Sequence, residues 1–386
     1  MNTLVIQKLI VLVFIIIPVV GASSEEVDKK LTNLYEIKTS DIPSFIIGIE
    51  ALQAQKESMS HSQSCLFGFL AAQIPYYKGE FEQAINQNSE VIKLCPNTEY
   101  ELFSYVQDAL IYSVSSEYVL AFESLQRAEK IFQEMALSEE DEKHFLSGTA
   151  MVLINLSQYD LAEDKLLALE HMANTPDYLC RIMFNRLNIA LSERNFQYSS
   201  ADRLKEVKNY CGQANEHLYL QFSQTIWHYF KFIDEDVSTN DVKNMLGNLL
   251  KNESQVLALN YPYLTSAYYA TLARGHEIWG KTMTAKQHAE TALSYTSLGN
   301  VIFKVTAMDV LIKVFAETGD FKAAFELLSK KSLIEQNQQY ELKSKNMAYA
   351  MVAQAVEAKE NTIRLLNEQN SVLLRNEELK SDQNRL

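Results

Sequence analysis

Two short stretches decide the fold: Gly79-Glu80-Phe81-Glu82-Gln83-Ala84 and Gly319-Asp320-Phe321-Lys322-Ala323-Ala324. Each places a ring two residues after a Gly and an Ala five residues after it. Working outward, Gly280-Thr282-Ala285 keeps the Gly and the Ala. Ser116-Tyr118-Ala121 and Ser157-Tyr159-Ala162 keep the ring and the Ala, and Phe196-Tyr198-Ala201 is a weaker copy. The rings at 81, 118, 159 and 198 stand 37, 41 and 39 residues apart. A period near 40 belongs to arrays of paired helices. The small residue fits a tight turn between two antiparallel helices. The Ala sits on the second helix, where a short side chain lets the first helix approach. Ala285, Ala289 and Ala292 continue that stripe at helical spacing, and Val301, Val305, Met308, Ile312 and Phe315 give the bulky counterpart.

Composition agrees with an all-α fold. The chain has 11 Gly and 6 Pro in 386 residues, where average usage of roughly 12% would supply about 46. So few turn-formers leave room only for long helices and short connections. Hydrophobic residues at 47% and charged residues at 22% describe a folded chain. The formal net charge of −14 argues against a nucleic-acid partner, since phosphate binding needs a basic surface.

These residues resemble the tetratricopeptide repeat, a helix-turn-helix unit that stacks into a right-handed superhelix. The copy with Gly79, Phe81, Ala84 and Pro96 matches best, and Ala72, Ala109, Ala150 and Ala273 lie on the preceding helices where that family places a small residue. The consensus period of 34 is shorter than the one here, which implies longer helices or loops. The resemblance covers residues 59–335. Residues 213–252 have the size of one more hairpin without its motif, with Asp234-Glu235-Asp236 in the turn and Thr239 or Asn240 as cap. Residues 23–58 read as two helices that cap the array, with Ser40 or Asp41 as cap and Pro43 in the first turn.

Residues 1–22 read as a secretory signal peptide. Lys8 precedes an apolar run from Leu9 to Val20, and Val20-Gly21-Ala22 offers a cleavage site after Ala22. A run of twelve suits a signal sequence and is too short to span a bilayer. The expected location is therefore the periplasm. In an oxidising compartment the four Cys should pair. Antiparallel hairpin geometry brings Cys65 to Cys95 and Cys180 to Cys211.

Residues 336–386 contain no Gly or Pro and read as one long helix. Tyr349, Val356, Ile363 and Asn370 share one heptad position, and Val352, Lys359, Leu366 and Leu373 share the other. Ile363, Leu366, Asn370 and Leu373 are thus candidates for self-association as a coiled coil, giving a homodimer. The whole arrangement is similar to the periplasmic sensory regions of membrane-bound diguanylate cyclases and histidine kinases. The chain carries no GGDEF signature, kinase motif or later membrane span.

No catalytic constellation is visible. The seven His residues form no HxxxH or HExxH pair and none has metal spacing to a Cys. No phosphate-binding or nucleophile-elbow motif occurs. No cofactor and no metal are expected, and the chain reads as a non-enzyme. The densest aromatic clusters nominate Trp227, Tyr229, Tyr268, Tyr269 and Trp279 as lining a groove for a protein, peptide or small molecule. The expected function is a non-catalytic binding module, the sensory part of a signalling protein. The alternative is a stand-alone envelope adaptor for protein–protein interaction.

Overall fold

The structure, a computed structural model, describes residues 24–193, 201–233, 237–295 and 301–383. The signal-like segment 1–22, the weak copy at Phe196 and Tyr198, and the Asp234–Asp236 turn lie outside the described residues. Within them the chain is helical and has no strand. Helices α1 (Ser24–Ile37) and α2 (Ile42–Leu52) form an N-terminal pair. The array follows as α3 (His61–Ala71), α4 (Gln73–Lys78), α5 (Phe81–Leu94), α6 (Glu99–Val114), α7 (Tyr118–Glu134), α8 (Glu139–Asn155), α9 (Tyr159–Met172), α10 (Pro176–Ser192) and α11 (Ala201–Gln213). It continues through α12 (His217–Ile233), α13 (Thr239–Leu250), α14 (Glu253–Ala258), α15 (Pro262–Ile278), α16 (Thr282–Ser294), α17 (Val301–Glu317) and α18 (Phe321–Gln383).

The motif turns close in one way. Gly79, Ser116, Ser157, Gly280 and Gly319 all have positive φ, between 59° and 80°. That twist lets the next N–H reach back five residues: Glu80 to Pro75, Glu117 to Tyr112, Gln158 to Leu153, Lys281 to His276 and Asp320 to Phe315, at 2.8–2.9 Å. This closure satisfies the last carbonyls of the first helix and reverses the chain within two residues. Several first helices instead start from looser connections and use side-chain caps. Ser60, Thr98 and Ser138 each accept from a backbone N–H three residues on, and Asp41 does so for α2. Ser238, one residue before the expected Thr239 or Asn240, caps α13, because its hydroxyl accepts from Asp241 N.

The Ala stripe lies at the helix contacts. Ala84, Ala121, Ala162 and Ala285 are buried, as are Ala72, Ala109, Ala150 and Ala273 on the facing helices. Two disulfides join hairpin ends, Cys65–Cys95 and Cys180–Cys211. Both link the start of a first helix to the end of its second helix, where antiparallel packing brings the ends together.

Two elements depart from nearest-neighbour stacking. The N-terminal pair covers the first hairpin, with Gln63 donating to Ser24 O and to Asp28. It is more than a cap, however. Phe45 packs in the core of the first hairpins while Ile42, one turn away, packs in the core that contains Cys180, Phe184 and Tyr219. The other element is α18. No boundary falls near residue 336; the second helix of the last hairpin runs straight on as 63 residues, about 95 Å at 1.5 Å per residue. Its middle returns to the N-terminal half. Ala348 is buried there, Val352 packs beside it, and Tyr349 meets Phe122 at 5.4 Å.

Candidate functional site

First helices of successive hairpins pack on one another, α6 on α8, α8 on α10, α10 on α12 and α12 on α15, and form one side of the array, termed its inner face. A stacked array otherwise joins each unit to its neighbours, so residues far apart in sequence meet on that side and where α18 returns to α7. The Tyr76 hydroxyl of α4 lies close enough to that of Tyr261, at the start of α15, for each to shift the other's titration. Between them lie Phe103 of α6, His144 of α8, Tyr178 and Arg181 of α10, and Glu216 and Tyr219 at the start of α12. The Arg181 guanidinium stands over the Tyr178 and Tyr219 rings at 5.6 and 5.7 Å and donates to Glu216 Oε1 at 3.0 Å. Its Nε is buried and has no hydrogen-bond partner. One turn further along α10, Asn185 is buried with both amide atoms unpartnered.

The turn between α1 and α2 is seated in this face. Tyr77 Oη donates to the Lys38 carbonyl at 2.9 Å, and Thr39 Oγ1 donates to Glu216 Oε2 at 2.9 Å. Tyr35 lies 5.5 Å from the His144 ring, which also meets Phe103 edge-on at 4.5 Å. The Lys38 ammonium is buried over the Tyr35 ring at 3.4 Å. Burial, with Arg181 nearby, brings its pKa down to about 7, against the pull of Glu216, Asp177 and Glu140. Burial likewise holds His144 well below the usual histidine range, and the neighbouring Lys38 and Arg181 reinforce this. Tyr261 is pushed up to about 12, first by burial. The lining therefore presents rings, a neutral imidazole and one tightly held carboxylate–guanidinium pair.

The five aromatic residues singled out from sequence do not form one groove. Tyr268 is fully buried and donates to the Leu249 carbonyl at 3.0 Å, so it is a core residue. Tyr229 is buried against Phe303 and accepts from Thr306. Tyr269 and Trp279 flank a stack in which His276 and His288 lie 5.1 Å apart. Trp227 is half-buried beside His228 and Lys231. Sequence density selected rings on the same helix stretch, and a helix points such neighbours to different sides. The inner-face residues lacked that density; their only sequence signal is their place on first helices. The tail residues Ile363, Leu366, Asn370 and Leu373 are all exposed.

No helix among the described residues is long and apolar enough to cross a membrane. No group of three or more His, Cys, Asp or Glu among them could hold a metal ion.

The fold and this inner face place the chain in a class: helical-hairpin arrays with tetratricopeptide-like turns. No protein-family profile matches the sequence, and no curated protein matches it either. Among solved structures, the chain is similar to a Rap protein complexed with Competence and Sporulation Factor. That match has 12% identity and a TM-score of 0.48, covering 82% of this chain and 100% of the other.

Proposed function

We propose that the chain is a non-catalytic binding module that takes a peptide or protein segment on its inner face. The observation that carries this is the convergence of Tyr77, Phe103, His144, Arg181 and Glu216 from successive hairpins onto one side of the array. Rings supply contact area at small entropic cost, while Arg181 and Asn185 hold unmatched hydrogen-bonding atoms. We read the module as the exported, periplasmic sensory part of a signalling protein of the diguanylate cyclase or histidine kinase type. Two disulfides support the exported location, since they persist in oxidising compartments. In this reading α18 carries the signal, because its middle is fixed to α7 while its last third extends outward. Paired copies meet through Ile363, Leu366, Asn370 and Leu373.

Selection of a random peptide library on the purified chain tests the binding claim. Selected peptides are expected to lose at least about tenfold in affinity on His144→Ala, in line with removal of one buried aromatic-type anchor. Peptides whose affinity is unchanged by His144→Ala and by Glu216→Gln would place binding elsewhere.

A further inference from the structure

We infer that the turn Tyr35–Thr39 is a built-in occupant of a peptide site on the inner face, and that the site's ligand in trans is a peptide carrying an aromatic residue and, four positions on, a hydroxyl residue. This rests on the inner face being the binding surface and adds the chemistry of what it binds.

The turn is held in the way a foreign peptide is held. Its backbone is recognised at one point, the Lys38 carbonyl, by the Tyr77 hydroxyl. Its side chains are recognised at two more: the Thr39 hydroxyl by the Glu216 carboxylate and the Tyr35 ring by His144. The partners belong to α4, α8 and the start of α12, up to 177 residues away. An end cap needs none of these contacts, since α1 already covers α3.

The chemistry of the ligand follows from the lining. Burial and Arg181 hold the Lys38 ammonium below its usual range, against the pull of Glu216, Asp177 and Glu140, and it donates to the turn's own Tyr35 carbonyl at 2.9 Å, so the lining sets no charge at that position. A hydroxyl suits the next, because Glu216 already accepts from Arg181 and offers oxygen to one more donor. A ring suits the position of Tyr35, which lies tilted against an uncharged imidazole, 5.5 Å between centroids.

The turn is also an imperfect ligand. With it in place, Arg181 Nε is buried without a partner beside Glu216. A peptide that supplied a carbonyl there would satisfy a donor that the turn leaves unmatched. Such a peptide gains a contact that the turn lacks, and this is the condition for displacing a segment tethered at high local concentration.

A labelled peptide corresponding to Thr32–Ser44 tests this against the full chain. In fluorescence anisotropy it is expected to bind the Tyr35→Ala/Thr39→Ala double variant at least about tenfold more tightly than wild type, because the tethered turn competes only in wild type. Adding Glu216→Gln to the double variant should remove most of that gain. A double variant with wild-type helicity that ignores the peptide, or that binds a scrambled peptide equally well, overturns the inference. Should the double variant not fold, hydrogen exchange on the wild-type chain decides. Excess peptide is expected to speed exchange at residues 35–41, and scrambled peptide is not. Equal exchange with both overturns the inference. Library-selected peptides that depend on His144 yet leave exchange at 35–41 unchanged would preserve the binding surface and remove the built-in occupant.

Discussion

At the scale of single residues, the turn positions show why the repeat could be read from sequence. A residue with positive φ is cheap only as Gly, so Gly79, Gly280 and Gly319 mark their turns directly. Ser157 adopts the same twist with a side chain. Gly280→Ala adds a methyl that meets nothing within 4 Å, so its cost is conformational alone, about 1 kcal/mol. Ser157→Gly is expected to stabilise by up to about 1 kcal/mol in urea unfolding. Equal stability of Gly280→Ala and wild type would contradict the turn assignment. The buried histidines set a pH dependence. His276 is held to about 4, first by burial and then by His288 and Lys281, whereas an unfolded histidine takes its proton near 6.5. Between those values the unfolded state holds the extra proton, so stability falls as pH drops from about 6.5 and the loss is complete below about 4. Asp108 acts oppositely: burial raises it to about 7, so it favours the folded state as pH falls. It is common to wild type and variant and cancels in their difference. His276→Gln should therefore lose roughly 2 kcal/mol less than wild type between pH 7.5 and 4.5. An identical loss in both proteins would show that His276 is not buried neutral.

At the scale of elements, the hairpin rests on small residues where two helices touch. Ala84 and Ala324 are buried in their hairpins, and Glu82 is exposed. Ala84→Glu and Ala324→Glu force volume and an unpaired carboxylate into that contact, at a cost of about 1–3 kcal/mol for overpacking and more for the charge. Glu82→Ala should stay within about 0.5 kcal/mol of wild type. If the two Ala variants melted with wild type, the register would be wrong. Each disulfide closes a loop of 30 or 31 residues, so Cys65→Ser/Cys95→Ser should cost about 2–4 kcal/mol in denaturant unfolding. Four alkylatable thiols in exported, unreduced protein would contradict both links. Helix pairing was legible because Ala and Gly recur at fixed offsets. The break between α3 and α4 was not, and neither was short α14, because no periodic residue marks either.

At the scale of the whole molecule, two segments join parts of the array that stacking alone keeps apart, and neither was visible in the sequence. The N-terminal pair looked like a cap because its residues carry only local signals. Its seat against His144 and Glu216 exists only once successive hairpins have stacked. The heptad frame of the tail was legible, but its first turns are spent on the array: Tyr349 packs on Phe122 and Val352 on the N-terminal core. The pairing proposed above would therefore rest on a shorter seam, with Ile363, Leu366 and Leu373 roughly half exposed or more and Asn370 to set register. Sedimentation at tens of micromolar is expected to show a dimer that becomes a monomer when residues 357–386 are removed. A monomer in both would leave the tail with no role in association. The central claim is that the inner face is the binding surface, and a crystal structure of the full chain with a library-selected peptide tests it most directly. The expected result is a peptide lying between Tyr77, His144 and Glu216, with the Tyr35–Thr39 turn displaced. A peptide bound on the outer side, along the second helices, with Glu216 still holding Thr39, would contradict it.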